Sequence, residues 1–206
     1  MPKIDLKKQF KHLYQPSAKE FSIVDVPPLN FLMIDGTGDP NTSQDFKDAM
    51  EALYGLSYTL KFGLKLGKFG KKKYDYPVMA LEGLWWVDDM RQFSIDAKGE
   101  WHWTVMIMQP DFITADLVEA ACHELAAKKN PAALPKIRFE VYHEGLSAQI
   151  MYIGRFADEG PTIQRLHEFI ESDGHQLRGK HHEIYLSDPR RTAPDKLKTV
   201  IRQPLQ

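Results

Sequence analysis

The order of strand-like and helix-like stretches is the feature that most limits what this chain can fold into. In the first half, a β-prone stretch ending at Gly36 is followed by a helical stretch, a strand containing Glu82 and a further strand. In the second half, a stretch containing Gly154 is followed by a helix, a strand containing Glu183 and a last strand. The order alone predicts an α+β fold of two duplicated βαββ units, related by a pseudo-two-fold axis, with a ligand cleft between the repeats.

The predicted repeats divide the chain into two parts. The first spans about residues 21–110 and the second about residues 111–206, and 206 residues suit one large domain or two fused small ones. We expect a single domain over residues 1–206.

The spacing of apolar residues, together with the positions of glycine and proline, predicts the individual strands and helices. Strands are predicted at Phe21–Val26, Phe31–Gly36, Pro77–Asp89, Trp101–Gln109, Ile137–Tyr142, Leu146–Phe156, His181–Ser187 and Leu197–Gln203. Helices are predicted after the candidate N-caps Thr42 and Ser43, with the pattern fraying in the Gly- and Lys-rich stretch from Gly63 to Lys73, from about Thr114 to Lys129, and from about Pro161 to Asp173. A long loop containing Asp96 to Gly99 joins the third and fourth strands, and Glu144-Gly145 marks a turn between the fifth and sixth.

Composition excludes several classes of protein. The net charge of −1 gives no general attraction to nucleic acid or to an anionic membrane. Cys122 is the one cysteine, so no disulfide can form within the chain and a reducing, cytoplasmic setting is expected. The first residues are charged throughout, unlike a secretory signal, and no run approaches the roughly 18 apolar residues of a membrane span.

Two carboxylates inside strand-like stretches are the candidate functional groups. Side chains alternate between the faces of a strand, so Glu183 shares a face with His181 and Tyr185, and Glu82 shares a face with Trp86. Glu183 thus has an aromatic neighbour two positions away and Glu82 has one four positions away on the same face, as in a small-molecule site with aromatic walls. The ordinary alternative stays open, because strand carboxylates usually face water and tryptophans usually pack in the core.

Four stretches resemble the GyrI-like small-molecule-binding family, and in particular its stand-alone bacterial branch, over about Ile4 to Pro204. They are MEALYGLSYTLKF, LEGLWW, WHWTVMIMQPDF and KHHEIYLSDPRRTAPDKLKTVIRQP. The resemblance implies the same duplicated fold and cleft. It also implies a role for Glu183, which matches the glutamate of an E-I-Y-I-P type motif that contacts cationic aromatic ligands in multidrug-sensing regulators. This chain departs from that motif at Ser187-Asp188-Pro189, and it has Tyr152-Ile153-Gly154-Arg155-Phe156 where the branch has a His-Ile-Gly-Pro-Tyr type run.

The branch is similar to cyclopropanoid cyclopropane hydrolases, which add water to the strained ring of DNA-alkylating compounds. On this hypothesis Glu183 is a general base with a raised pKa, and Glu82 orients the water or takes that role. Tyr185 or Tyr58 donates to the ligand carbonyl. The expected ligand-binding residues are Trp86, Trp103, Tyr58, Tyr142, Tyr152 and His181.

Three other expectations accompany this hypothesis. The alternative function is a non-catalytic module that binds or sequesters lipophilic or cationic aromatic drugs, and a transcription regulator is disfavoured because the chain has no spare segment for a DNA reader. Some relatives bind DNA gyrase, which makes gyrase a possible partner. No metal and no cofactor are expected, since His181 and His182 face opposite ways and no dinucleotide or phosphate loop is complete.

Overall fold

The fold is a curled, antiparallel half-barrel sheet with helices packed on it, in a computed structural model that describes residues 4–89 and 98–206. The strands are β1 (Ser22–Val26), β2 (Leu29–Thr37), β3 (Leu81–Trp86), β4 (His102–Gln109), β5 (Arg138–Tyr142), β6 (Gly145–Ile153), β7 (His181–Tyr185) and β8 (Lys198–Pro204). The helices are α1 (Leu6–Gln9), α2 (Lys11–Tyr14), α3 (Gln44–Leu66), α4 (Ala115–Lys128) and α5 (Gly160–Ser172). The predicted α+β class and every predicted strand and helix are present, while Asp96 of the predicted long loop lies outside the described residues.

Helix α3 extends beyond its predicted end. The Ser43 hydroxyl caps the helix by accepting a hydrogen bond from the Phe46 N–H at 3.2 Å. Gly63 resembles a helix breaker in the sequence, yet the helix continues to Gly67, which adopts a left-handed conformation with φ of 77°. A Cβ at Gly63 would lie 2.0 Å from the Phe69 ring, so this glycine serves close packing and does not end the helix.

The strand order is β1-β6-β8-β7-β3-β4-β2-β5, and all neighbouring pairs are antiparallel. The predicted hairpin of β3 and β4 is confirmed. The turn at Glu144-Gly145 does not form a hairpin, because β5 pairs with β2 at one edge of the sheet and β6 pairs with β1 and β8 near the other. The order is symmetric. When β1, β2, β3 and β4 are exchanged with β5, β6, β7 and β8, respectively, the result is the same order read from the opposite edge of the sheet.

The two faces of the sheet carry different partners. On the face that we call the front, α3 packs on β2 and β4, and α5 packs on β6 and β8. The central strands β3 and β7 lie between these two helices. On the back face, the segment containing α1 and α2 brings Leu13 and Tyr14 into the interior, where Leu13 is 0% and Tyr14 2% exposed. We call this segment, residues 4–17, the N-terminal arm.

The main core lies between α3 and the sheet. Phe46 of α3 stacks on Trp85 with ring centroids 6.0 Å apart and meets the edge of Trp103 at 5.1 Å. Trp103 is fully buried, and a Cβ at Gly36 would lie 2.1 Å from its ring, so the glycine makes room for the indole. A smaller core under α5 contains Ile150 and Leu166. Among the described residues, none of the helices has both the length and the apolar character needed to cross a lipid bilayer.

Candidate functional site

The register of the two central strands gathers polar and aromatic side chains on the front face. Gly83 of β3 lies opposite Glu183 of β7, and Trp85 lies opposite His181. Side chains of directly paired residues project from the same face of an antiparallel sheet. Because Phe46 of α3 stacks on Trp85, this face is the one that carries the helices.

Four of these side chains form one hydrogen-bonded chain. The Trp85 indole N–H donates to the Tyr185 hydroxyl at 3.1 Å. The Tyr185 hydroxyl in turn donates to the Glu183 carboxylate. His181 Nε2 lies 3.1 Å from Glu183 Oε1, and these two residues are 2% and 7% exposed. A buried carboxylate held in this way can pair with a cation or accept a proton from a bound molecule.

Gly83 makes the contact between Trp85 and Tyr185 possible. A Cβ at position 83 would lie 2.7 Å from the indole nitrogen of Trp85. The indole therefore lies over the glycine, which places its N–H next to Tyr185 on the neighbouring strand. Any side chain at position 83 would occupy the space of the Trp85 indole, and this steric reason for the glycine is seen only in the tertiary structure.

The pKa of Glu183 is lowered, contrary to the expected rise. Burial favours the neutral acid, but hydrogen bonds and charge from His181, a hydrogen bond from Tyr185 and the contact with the Glu159 carboxyl favour the carboxylate more strongly and lower the pKa. The expected rise in the pKa followed from burial alone, without the hydrogen-bond donors around the carboxylate. Glu183 is therefore an anion at neutral pH.

The pKa of Tyr185 moves in the opposite direction. Burial raises it first, and the negative charge of Glu183 and the neighbouring Glu159 carboxyl raise it further, so that it lies well above its ordinary value. The phenol keeps its proton at neutral pH and stays a donor to Glu183.

Two front-face residues near α5 were missed in the sequence. Phe156 meets Tyr185 edge-on with ring centroids 5.5 Å apart, and the buried Glu159 is a hydrogen-bond partner of Glu183. Phe156 was predicted only as the last residue of a strand, and Glu159 lies in the short segment before Pro161, where no element was predicted. The one available signal was the position of Glu159 next to the proline that opens α5.

Glu82 lies on the back face, so it does not meet Glu183. It pairs with Ile184, the neighbour of Glu183, and side chains of adjacent residues in a strand point to opposite faces. Its carboxylate accepts a hydrogen bond from the Tyr14 hydroxyl at 2.6 Å and lies 3.0 Å from His182 Nε2. The expected shared hollow between the two glutamates is thus replaced by two separate environments.

The back-face network continues from His182 into the arm. His182 Nδ1 lies 2.9 Å from Glu144, whose carboxylate is 3.1 Å from Arg202. The Arg202 guanidinium also donates to Gln149 and, at 2.7 Å, to the carbonyl of Leu13. Two carboxylates and two cationic groups therefore balance one another in the interior and hold the arm against the sheet.

Opposite shifts of the pKa accompany this balance. Burial opposes the charge of His182, but Glu144 and Glu82 outweigh it and raise its pKa to about 9. Burial likewise opposes the charge of Glu144, but His182 and Arg202 lower its pKa to about 2. At neutral pH His182 therefore carries a proton and Glu144 is ionised, so the two form an ion pair.

The other expected ligand-binding residues fall in different places. Trp103 is fully buried beneath α3. Trp86 lies on the back face, with the Lys180 ammonium 3.3 Å from the ring centroid. Tyr142 lies on the edge strand β5 against Phe31. These three residues stand apart from Glu183.

Tyr152 and Tyr58 lie on the front side of the molecule. Tyr152 pairs with Thr199, which pairs with Tyr185, so all three project from one face, and the Tyr152 hydroxyl donates to the Arg155 carbonyl at 3.0 Å. Tyr58 is 46% exposed on α3. Within residues 4–89 and 98–206, no group of three or more His, Cys, Asp or Glu side chains is placed to hold a metal ion.

Comparisons with known proteins match this architecture. An uncharacterized conserved protein from Listeria innocua is 36% identical, with a TM-score of 0.90, over 98% of this chain and 100% of that chain. Two hydrolases from Listeria innocua are 34% and 36% identical, with TM-scores of 0.85 and 0.86, over 98% and 100% of this chain and all of theirs. No curated protein matches the sequence. The family model for the GyrI-like small molecule binding domain matches residues 19–206, and the chain belongs to that family.

Proposed function

We propose that the front face between α3 and α5 binds flat, lipophilic small molecules and detoxifies electrophilic ones by hydrolytic opening of a cyclopropane ring. The observation that carries this proposal is the hydrogen-bonded chain from Trp85 through Tyr185 to Glu183 and His181. Membership of a small-molecule-binding family supports the binding step. The two similar hydrolases from Listeria innocua support the chemical step.

In the proposed reaction, Glu183 acts on water. Its lowered pKa keeps it ionised, so it can accept a proton from a water molecule held between it and the ligand. The water oxygen forms a bond to a cyclopropane carbon, and the strained carbon–carbon bond breaks. The electron pair of that bond moves into the conjugated carbonyl of the ligand, which becomes a phenol after gaining a proton. The product is the substrate plus one water molecule.

Tyr185 is the proposed donor to that carbonyl. Its hydroxyl stays protonated and points to Glu183 in the resting site. Once Glu183 has taken a proton from water, it needs the Tyr185 donor less, and the phenol can turn to the developing oxyanion and give it a proton. Glu183 then passes the proton from water to the Tyr185 oxygen, which restores both groups. The Trp85 N–H supports this change because it donates to the phenol oxygen and stabilises negative charge there.

The proposed walls are the aromatic side chains around this chain. Phe156 stands edge-on to Tyr185, and Tyr152 and Tyr58 lie on the same side of the sheet. Glu82 has no role here, because it serves the back-face network. The strand order is symmetric about the pair β3 and β7. We also propose that this symmetry reflects two duplicated units, and that the ligand cleft lies at their junction over β3 and β7.

Turnover of a cyclopropylpyrroloindole tests the reaction. We expect a ring-opened product 18 mass units heavier than the substrate by mass spectrometry, with many molecules converted per protein molecule. Glu183→Gln keeps the shape of the side chain and should retain binding while losing about 10²- to 10⁴-fold in turnover. Glu171→Gln, at an exposed position on α5, is the matched control and should behave as the wild type. Undiminished turnover in Glu183→Gln would exclude Glu183 as the base.

The second candidate function is sequestration without chemistry. The lowered pKa of Glu183 favours it, because a permanent anion beside aromatic rings suits a lipophilic cation. Capture of one ligand per protein molecule with no ring-opened product would support this alternative. DNA gyrase stays a predicted partner only.

A further inference from the structure

The end of α3 and the residues after it form a strongly basic part of the chain. Residues 61–73 contain six lysines and no acidic residue, although the whole chain has a net charge of −1. The rest of the chain is therefore acidic. A net charge near zero gives no general attraction to an anionic surface, but a local concentration of lysines attracts one. We call residues 61–73 the basic segment.

Two exposed apolar side chains lie among these lysines. Phe62 is 50% and Leu66 62% exposed, and they are four residues apart, so they lie on one side of α3. Successive residues of a helix are about 100° apart around its axis. Lys61 and Lys65 therefore flank this apolar pair on one side, and the Lys61 ammonium is 5.8 Å from the centroid of the Phe62 ring.

The chain after α3 folds back along the other side of the apolar pair. A Cβ at Gly63 would lie 2.0 Å from the Phe69 ring, and a Cβ at Gly67 would lie 2.8 Å from the side chain of Lys73. These two glycines directly follow the two apolar residues in the sequence, so they mark the opposite flank. The exposed lysines at positions 71–73 continue from this contact. The apolar pair thus has lysines on both sides.

Nearby carboxylates neutralise part of this charge. Lys65 pairs with Asp75 at 2.9 Å, and Lys68 pairs with Glu124 at 3.0 Å. Among the residues that the structure describes, no carboxylate lies within salt-bridge distance of Lys61 or of the three lysines at positions 71–73. Four lysines of the basic segment are therefore left to pair with an external anion.

We propose that the basic segment docks the protein on an anionic lipid surface, with Phe62 and Leu66 inserted among the headgroups. Phosphate groups of either a lipid or a nucleic acid attract lysines, but a bilayer also takes up the apolar side chains between them. An exposed apolar patch with a charged rim is a common mark of such a surface. Because α3 also borders the proposed site, docking by its end brings that site near the bilayer, where lipophilic molecules concentrate.

Co-sedimentation with vesicles tests the docking. The wild type should bind vesicles of equal parts phosphatidylcholine and phosphatidylglycerol more tightly than vesicles of phosphatidylcholine alone, and high salt should weaken this binding. Lys71→Gln, Lys72→Gln and Lys73→Gln should each lower the partition coefficient by up to about fivefold. Lys19→Gln removes an exposed lysine next to β1, at the edge of the sheet away from α3, and should behave as the wild type.

Leu66→Ala tests the apolar part of the surface. It should lower the partition coefficient by about three- to tenfold, because less apolar area leaves water on docking. The matched control is Val141→Ala, which shortens a side chain of equal exposure, 63%, on the edge strand β5. Turnover of a substrate dissolved without vesicles should be the same in all of these variants and in the wild type. Failure of the docking and failure of the proposed reaction are therefore seen separately.

Three results would overturn the proposal. The first is a wild type that does not sediment with the anionic vesicles, or lysine and Leu66 variants that bind them as the wild type does. The second is duplex DNA that binds more tightly than the vesicles and loses affinity in the lysine variants, since the segment would then hold nucleic acid. The third is a changed sedimentation mass in Leu66→Ala without changed vesicle binding, which would assign the apolar pair to an interface between two copies of the chain.

Discussion

The indole nitrogen of Trp85 lies 3.1 Å from the hydroxyl of Tyr185, across the one position of β3 that has no side chain. These residues are 100 positions apart in the chain and belong to different halves of it. Their contact orders the phenol that donates to Glu183, so the conformation of the candidate site depends on Gly83 as much as on its polar groups.

Gly83→Ala should disturb this contact. The new methyl group would lie 2.7 Å from the indole nitrogen, which forces Trp85 away from Tyr185. We expect an unfolding free energy lower by about 1–3 kcal/mol, as for other overpacked positions, and a shifted indole N–H resonance of Trp85 in a nitrogen–proton NMR spectrum. Gly99→Ala is the control, because a Cβ there meets no atom of residues 4–89 and 98–206 within 4 Å. An unchanged indole resonance in Gly83→Ala would show that the indole does not depend on the glycine.

Tyr185→Phe should raise the pKa of Glu183. The variant keeps the ring and removes a donor that favours the carboxylate, while His181 and Glu159 remain as partners. The affinity for a cationic planar dye, measured from pH 3 to 8, should therefore reach half its maximum at a higher pH than in the wild type. Tyr152→Phe removes a hydroxyl that donates to Arg155 instead, and it should leave the midpoint in place. Coincident curves for Tyr185→Phe and the wild type would contradict the hydrogen-bonded chain.

The back-face network predicts a limited pH range of maximal stability. His182 has a folded pKa of about 9, above its ordinary 6.5, so its contribution is fully present below pH 6.5 and is lost as the pH rises through 9. Glu144 has a folded pKa of about 2, below its ordinary 4.5, so its contribution is present above pH 4.5 and is lost as the pH falls through 2. Stability should thus be greatest between about pH 4.5 and 6.5.

Urea unfolding at a series of pH values measures this profile. The unfolding free energy should fall by an amount on the order of 3 kcal/mol above this pH range, and by a similar amount below it. The contributions of His182 and Glu144 are not added together, because the two groups share one interaction. His182→Gln should flatten the decline between pH 7 and 9. A decline of equal size in that variant would assign it to other groups.

Tyr14→Phe should weaken the arm. Its hydroxyl donates to the buried Glu82 at 2.6 Å, and the variant leaves that carboxylate oxygen without its donor. The expected loss is about 1–3 kcal/mol of unfolding free energy, together with faster hydrogen exchange of the arm amides. Tyr58→Phe, at an exposed position, is the control for stability. Unchanged exchange in Tyr14→Phe would show that the arm is held by its apolar contacts alone.

The sequence predicted which residues of β7 belong to the site better than it predicted their contacts with β3. Alternation placed Glu183, His181 and Tyr185 on one face, and the structure joins them by hydrogen bonds. The same reasoning chose Trp86 as the aromatic neighbour, whereas the indole that reaches Tyr185 belongs to Trp85. Periodicity shows which residues of one strand share a face. It does not show which side chains of β3 project from the same face of the sheet as Glu183 and Tyr185 of β7.

The interior polar network was outside the reach of sequence reasoning. Glu144 was predicted to lie in a turn, and no element was predicted before Phe21, where the arm lies. Their burial depends on β5 and β6 joining different regions of the sheet, so that the turn lies against β8 rather than in solvent. No local pattern reports a pairing between strands so distant in the chain.

The amino-acid sequence by itself determined the eight strands, the three longer helices, their order, the family and the single face shared by Glu183, His181 and Tyr185. These follow from the local spacing of apolar residues, from glycine and proline positions and from long motifs. Only the tertiary structure decided that Glu82 lies behind the sheet and that Trp85 lies in front of it. The physical reason is that register between β3 and β7 sets which side chains meet, and a shift of one residue exchanges the two faces. That register is set by packing of the whole sheet, to which every other strand contributes.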